Sequence, residues 1–134
     1  MAEQATAKQE SPAHGTICWT ELTTKDAEAA RNFYSELLGW TMSKSEAGGV
    51  DYTEFQVEGR SIGGIFQMTA EFGEAPSHWM SYVAVADVDA TARRVEELGG
   101  KLYMPPRDIP KVGRFCIIND PTGATIALIT LRRP

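Results

Sequence analysis

Residues 26–40 read DAEAARNFYSELLGW, and residues 87–100 read DVDATARRVEELGG. Set 61 positions apart, the two stretches superimpose: Asp26 falls on Asp87, Ala29 on Ala90, Leu37 on Leu98 and Gly39 on Gly100. Each opens on an acidic residue whose carboxylate can accept from the first free helix N–H groups. Each closes on a glycine, which takes the left-handed conformation after a helix without a Cβ penalty. Between them the apolar residues recur at helical spacing. The expected stripe is Ala29, Phe33 and Leu37, with Ala30, Tyr34 and Leu38, in the first stretch, and Val88, Ala92, Val95 and Leu98 in the second.

Outward from each helix the pattern switches to strands. Residues 16–22 precede the first helix and are rich in β-branched and aromatic types. Residues 40–43, 52–57 and 61–68 follow it, with Gly48-Gly49 and Glu58-Gly59 as turns. The second half repeats the plan with strands at 79–85, 101–104, 114–119 and 125–131. Its last turn is Asp120-Pro121-Thr122-Gly123, where Pro presets φ and Gly accepts a positive one. The expected fold class is therefore α+β, two tandem βαβββ modules at about residues 15–69 and 77–131. A unit of that size could hardly bury a sheet alone, so residues 15–134 should form one domain, a curved mixed sheet or partial barrel around a cleft. The polar connector 69–77 joins the halves, and residues 1–14 read as a disordered N-terminal tail.

Composition narrows the partners. Of 134 residues, 43% are hydrophobic and 23% charged, a globular rather than a disordered balance. A net charge of −5 and a pI near 5.0 argue against nucleic acid, whose phosphates need a basic face. The first residues hold no apolar core of a signal peptide, and no apolar run is long enough to span a bilayer. The expectation is a cytoplasmic protein without membrane partners. Cys18 and Cys116 sit in apolar runs and read as core residues. No P-loop or dinucleotide fingerprint is present, and Ser77-His78, as strand neighbours, would point to opposite faces.

Three motifs in this order carry a family resemblance: FY…LLGW at 33–40, the second helix ending in Leu98-Gly99-Gly100, and NDPTGA at 119–124. Together they resemble the vicinal-oxygen-chelate proteins, the glyoxalase/bleomycin-resistance superfamily, over nearly the whole chain. The resemblance implies paired βαβββ modules. In the enzymes of that family it also implies a divalent metal held by two His (or Gln) and two Glu, which polarises a substrate with neighbouring oxygens. Other members hold a ligand without metal, and many form homodimers.

Carried over residue by residue, the implied ligand set does not survive. The first-strand positions fall on Trp19 and near Met80, and the last-strand positions on Gly63-Gly64-Ile65 and near Ala127. Indole has no lone pair to give, and thioether is too soft for the family's metals. The leading expectation is thus a metal-independent, cofactor-free small-molecule-binding protein with an apolar, aromatic-lined pocket, acting as a homodimer. Its expected pocket residues are Trp19, Glu21, Glu54, Gly63, Ile65, Gln67, His78, Met80, Tyr82 and Ala127. Glycine within a strand marks a close approach of ligand or backbone, which reads here as room in the pocket. A second reading is a metal-dependent lyase, isomerase or dioxygenase with relocated ligands His78, Glu21 and Glu54. A third is a structural or partner-binding domain whose interior is filled by side chains.

Overall fold

The computed structural model describes residues 12–45 and 51–132; the Gly48-Gly49 turn and tail residues 1–11 lie outside the described residues. The described chain is α+β, with strands β1 (Ile17–Thr24), β2 (Thr41–Lys44), β3 (Tyr52–Val57), β4 (Arg60–Gln67), β5 (His78–Ala84), β6 (Lys101–Ile109), β7 (Gly113–Asn119) and β8 (Thr125–Leu131). Helices α1 (Ala27–Leu38) and α2 (Val88–Val95) follow β1 and β5. Two compact units result: Trp19–Met80, and the described residues through Cys18 together with those from Ser81 onward.

In the unit Trp19–Met80 the strand order is β2-β3-β4-β1, with β1 parallel to β4 and the other pairs antiparallel. Asp26 caps α1, its Oδ1 accepting from Ala29 N at 3.0 Å, and Gly39 ends it at φ 76°. The helix covers one face of the sheet through Ala27, Ala30 and Tyr34, which pack with Leu22, Phe55 and Ile65. This corrects the expected stripe by one residue. Phe33, Leu37 and Leu38 are 56%, 61% and 53% exposed. Both stripes are apolar at helical spacing, so periodicity alone does not choose between them. The aromatic contacts choose: the Tyr34 ring stacks on Trp40 at 5.2 Å and meets Trp79 edge-on at 5.7 Å, while Trp40 stacks on Phe55 at 4.0 Å.

The other unit repeats the plan in the order β5-β8-β7-β6, with β5 parallel to β8. Asp87 caps α2, its Oδ1 accepting from Ala90 N at 3.0 Å. Val88 and Ala92 pack on Val85, Cys116 and Leu128, as the helical spacing anticipated. Leu98 lies past the helix end and is 63% exposed. The strand expected at 101–104 runs on to Ile109, with register shifts between Leu102 and Met104 and again between Met104 and Arg107. Pro105 and Pro106 bring no N–H to the ladder, and a bulged stretch is where a strand tolerates that. Before β1, Gly15 N donates to Ala84 O (2.7 Å), Ala84 N to Thr16 O (2.8 Å), and Ala86 N to His14 Nδ1 (2.9 Å).

Strand registers locate the duplication more finely than the helices do. Glu21 pairs with Gly64 in the first unit, and Tyr82 with Ala127 in the second. The offset is therefore 61 residues on the first strand of the module and 63 on the last.

Candidate functional site

Side chains alternate between the faces of a strand, so the registers sort the expected site residues. Leu22, Ile65, Thr53, Gly63 and Phe55 share the helix-covered face of β1, β4 and β3. Glu21, Gly64 and Glu54 lie side by side in a row on the opposite face, with Tyr52 and Phe66 in the next row. Trp19 reaches this face as well, because its indole Nε1 donates to the Tyr52 hydroxyl at 2.8 Å.

Tyr52 is the centre of this face. A Cβ placed on Gly64 would collide with the Tyr52 hydroxyl and its ring carbon Cζ, so the phenol lies directly over the glycine. Its hydroxyl accepts from Trp19 and is hydrogen-bonded to the Glu21 carboxylate, which can only accept, so the phenol is the donor there. Burial first, and then the negative field of Glu21, push the Tyr52 phenol far above its ordinary value, so it remains a neutral O–H. Beside it, Ser61 donates to Glu54 Oε1 at 2.6 Å, and Gln56 Nε2 donates to Ser61 Oγ at 3.3 Å. A register shift between Phe55 and Gln56 is what turns Ser61 towards Glu54.

Three expected pocket residues belong elsewhere. Ile65 is fully buried under α1. Gly63 faces the same core, where a Cβ would strike the Phe55 ring and the Thr20 carbonyl. Gln67 closes the N-terminus of α1: Oε1 accepts from Ala27 N at 2.8 Å, and Nε2 donates to Lys25 O at 2.8 Å and to Met68 O at 3.2 Å. Each has odd numbering in β4, on the helix side of the sheet, whereas the site side runs through Gly64 and Phe66. The expected room at the two glycines is also corrected, since an aromatic side chain fills each place.

His78 and Met80 flank Trp79, whose ring packs among Tyr34, Trp40 and Phe55 on the helix side. By alternation both therefore face away from the helix. His78 Nδ1 lies 2.8 Å from Pro76 O, and a carbonyl only accepts, so the ring proton sits on Nδ1. The relocated metal set does not form: among the described residues, no three His, Cys, Asp or Glu side chains gather to hold an ion. In the other unit, Tyr82 and Ala127 are paired and buried on the face turned away from α2, with Phe115 6.1 Å from the Tyr82 ring. A cavity of about 210 Å³ beside His14 and Thr130 and an open depression of about 540 Å³ along Phe33 and Leu37 are lined by none of the expected site residues. Among the described residues no helix is long and apolar enough to cross a membrane.

Each unit is a βαβββ module with its helix on one face of its strands, an α+β architecture. Residues 16–128 match the model of the Glyoxalase/Bleomycin resistance protein/Dioxygenase superfamily, and the chain belongs to that family. It is 38% identical over 116 residues to CFP32 of Mycobacterium tuberculosis, a protein named as a glyoxylase, covering 86% of this chain and 44% of that one. It is 32% identical over 129 residues to the anthracycline biosynthesis protein DnrV of Streptomyces peucetius, covering 87% and 47%. The chain thus spans just under half the length of these relatives. A glyoxylase-like domain-containing protein of Didymella fabae is 30% identical over 122 residues, covering 87% and 94%. The crystal structure of methylmalonyl-CoA epimerase from Mycobacterium tuberculosis shares the fold, with TM-score 0.63, 20% identity, and 93% and 95% coverage.

The donor set at these positions does not suit the metal that the family implies. The registers place the relevant last-strand positions at Gly64 and Ala127, neither of which has a donor atom. The Trp19 indole spends its one polar hydrogen on Tyr52, and Met80 offers only a soft thioether. These residues do not fit the group.

Proposed function

We propose that this chain binds a small organic molecule without a metal, against the face formed by Trp19, Glu21, Tyr52 and Glu54. The observation that carries the reading is the Tyr52 phenol lying over Gly64, where the family pattern would place a ligating carboxylate. A metal cup has been exchanged for a hydrogen-bonded aromatic and carboxylate surface, with a soft Met80 on the same side of its own strand. Surfaces that combine aromatic walls with a few oriented polar groups are the usual make-up of small-molecule sites.

Pairing of two copies, as a homodimer, belongs to the same reading. The relatives that this chain half covers are long enough for about two such domains, and two copies would supply the same number of modules. A cytoplasmic address is part of the proposal as well.

Thermal unfolding with a library of aromatic and heteroaromatic compounds, in the presence of EDTA, tests it. Ligands that bind the folded state raise the melting temperature by mass action. Trp19→Ala should abolish the shift for those ligands. A stoichiometric transition metal in the purified protein, or binding that survives Trp19→Ala unchanged, would overturn the reading.

A further inference from the structure

The polar hydrogens of Trp19, Tyr52 and Ser61 are already committed, and this sets the chemistry of what can bind beside them. Trp19 has one polar hydrogen, and it goes to Tyr52 at 2.8 Å. Tyr52 has one, and it goes to the Glu21 carboxylate. Ser61 has one, and it goes to Glu54 Oε1 at 2.6 Å. Gln56 uses one of its two amide hydrogens on Ser61. His78 Nδ1 lies 2.8 Å from Pro76 O, which only accepts, so the Nδ1 hydrogen is spent within the protein.

What Tyr52 and Glu54 offer outward is therefore acceptors. A carboxylate has about four acceptor sites and a phenol oxygen two, so Tyr52 and Glu54 retain capacity beyond their bonds within the protein. The charge follows the same direction. Among the described residues of β1–β4, the positions on this face hold two carboxylates in one row across Gly64 and no Lys or Arg. Lys44 and Arg60 pair with Thr53 and Val57, at positions of the helix-side register.

We infer that the ligand is an aromatic molecule bearing hydrogen-bond donors, an ammonium or amidinium group first and hydroxyls second, and that the site discriminates against carboxylates and phosphates. This rests on the proposed binding role and names its ligand class. Tyr52 is the specificity-determining residue: its hydroxyl, pinned between Trp19 and Glu21, presents a lone pair to the ligand donor, while Glu54 supplies the counter-charge. Burial of a ligand anion against Tyr52 and Glu54 would leave its oxygens facing oxygens, with no hydrogen between them.

The test uses the ¹⁵N-labelled full chain and three probes of one ring shape: 1-naphthylmethylammonium, 1-naphthylmethanol and 1-naphthoate. The Trp19 indole N–H resonance, assigned with Trp19→Phe, reports the site directly. The ammonium probe should move that resonance and bind about tenfold or more tightly than naphthoate, the scale of a hydrogen bond to a charged group, with the alcohol between them. Glu54→Gln should erase most of the difference without unfolding the chain, and Tyr52→Phe should weaken the ammonium and alcohol probes alike. If naphthoate binds as tightly as the ammonium, with the Trp19 resonance moving, the ligand class is wrong while the binding role stands. If none of the three moves the resonance, both fall.

Discussion

Replacing Gly63 by Ala is the sharpest test of how the two glycines of β4 are used. Gly63 lies under the core of the Trp19–Met80 unit, and an added Cβ would meet the Phe55 ring, with Cε1 at 2.8 Å, and the Thr20 backbone carbonyl. Phe55 is itself locked by its stack on Trp40 at 4.0 Å and 4°, and is fully buried. Neither neighbour is the loose end of a flexible side chain, so β1 and β4 must part or Phe55 must leave its stack. Overpacking of this kind costs about 1–3 kcal/mol. Restricting the unfolded chain returns about 0.4–1 kcal/mol. A net loss of about 1–2 kcal/mol remains, corresponding to a melting temperature lower by roughly 4–10 °C for a domain of this size. Urea unfolding followed by tryptophan fluorescence measures it, with the slope unchanged and the midpoint lowered. Gly64→Ala is the control, because its Cβ meets the phenol end of Tyr52, which can swing away. Its cost should be that of the Tyr52 hydrogen bonds rather than of core packing, and the Trp19–Tyr52 bond is lost. A Gly63→Ala protein within about 0.5 kcal/mol of the parent, the range of ordinary surface substitutions, would refute the reasoning.

Gln67→Ala should destabilise by about 1–3 kcal/mol, since it leaves the Ala27 N–H and two carbonyls without partners, yet leave ligand affinity unchanged; a loss of affinity in the folded variant would return Gln67 to the site. Tyr52→Phe should cost about 1–3 kcal/mol, since it removes the bond from Trp19 and a bond to the Glu21 carboxylate, read as a lower urea midpoint and a shifted Trp19 indole resonance. Cys116 is fully buried, and desolvation pushes its thiol up to about 11; at neutral pH a thiol reagent should label Cys18, which is only partly buried, well before Cys116, and label both in denaturant. Asp89 and Asp120 are held below the ordinary value of 3.8, Asp89 first by its hydrogen bond from Arg114 and Asp120 first by that from Thr122. Their stabilisation is complete above 3.8 and is lost as pH falls through their lower folded values, so Asp89→Asn with Asp120→Asn should flatten the acid limb of the melting-temperature profile.

The helices and the duplication were legible because caps, stripes and stops are local: Asp26 and Gly39, and Asp87 with Val88 and Ala92, act within one or two turns of chain. The site was legible in part. Trp19, Glu21 and Glu54 do share a face, and strand alternation from Glu54 would have brought in Tyr52, two residues away. What a single strand cannot disclose is which of its two faces a helix from elsewhere will cover. Gly63, Ile65 and Gln67 were placed in the pocket for that reason, and the cross-strand register moves them under α1. The same limit affected α1, where two apolar stripes compete and the contacts of Tyr34 with Trp40 and Trp79 decide. The longer β6 was hidden by Pro105-Pro106, which reads as a break until bulges absorb it.

The central claim, ligand binding through the Tyr52 face with no metal, meets its most direct test in one titration. Affinity of 1-naphthylmethylammonium for the full chain is measured by calorimetry after exhaustive EDTA treatment, and again after Zn, Mn, Ni or Fe(II) is restored. The account predicts the same affinity in every sample. Binding that disappears with the chelator and returns with one of the metals would contradict it.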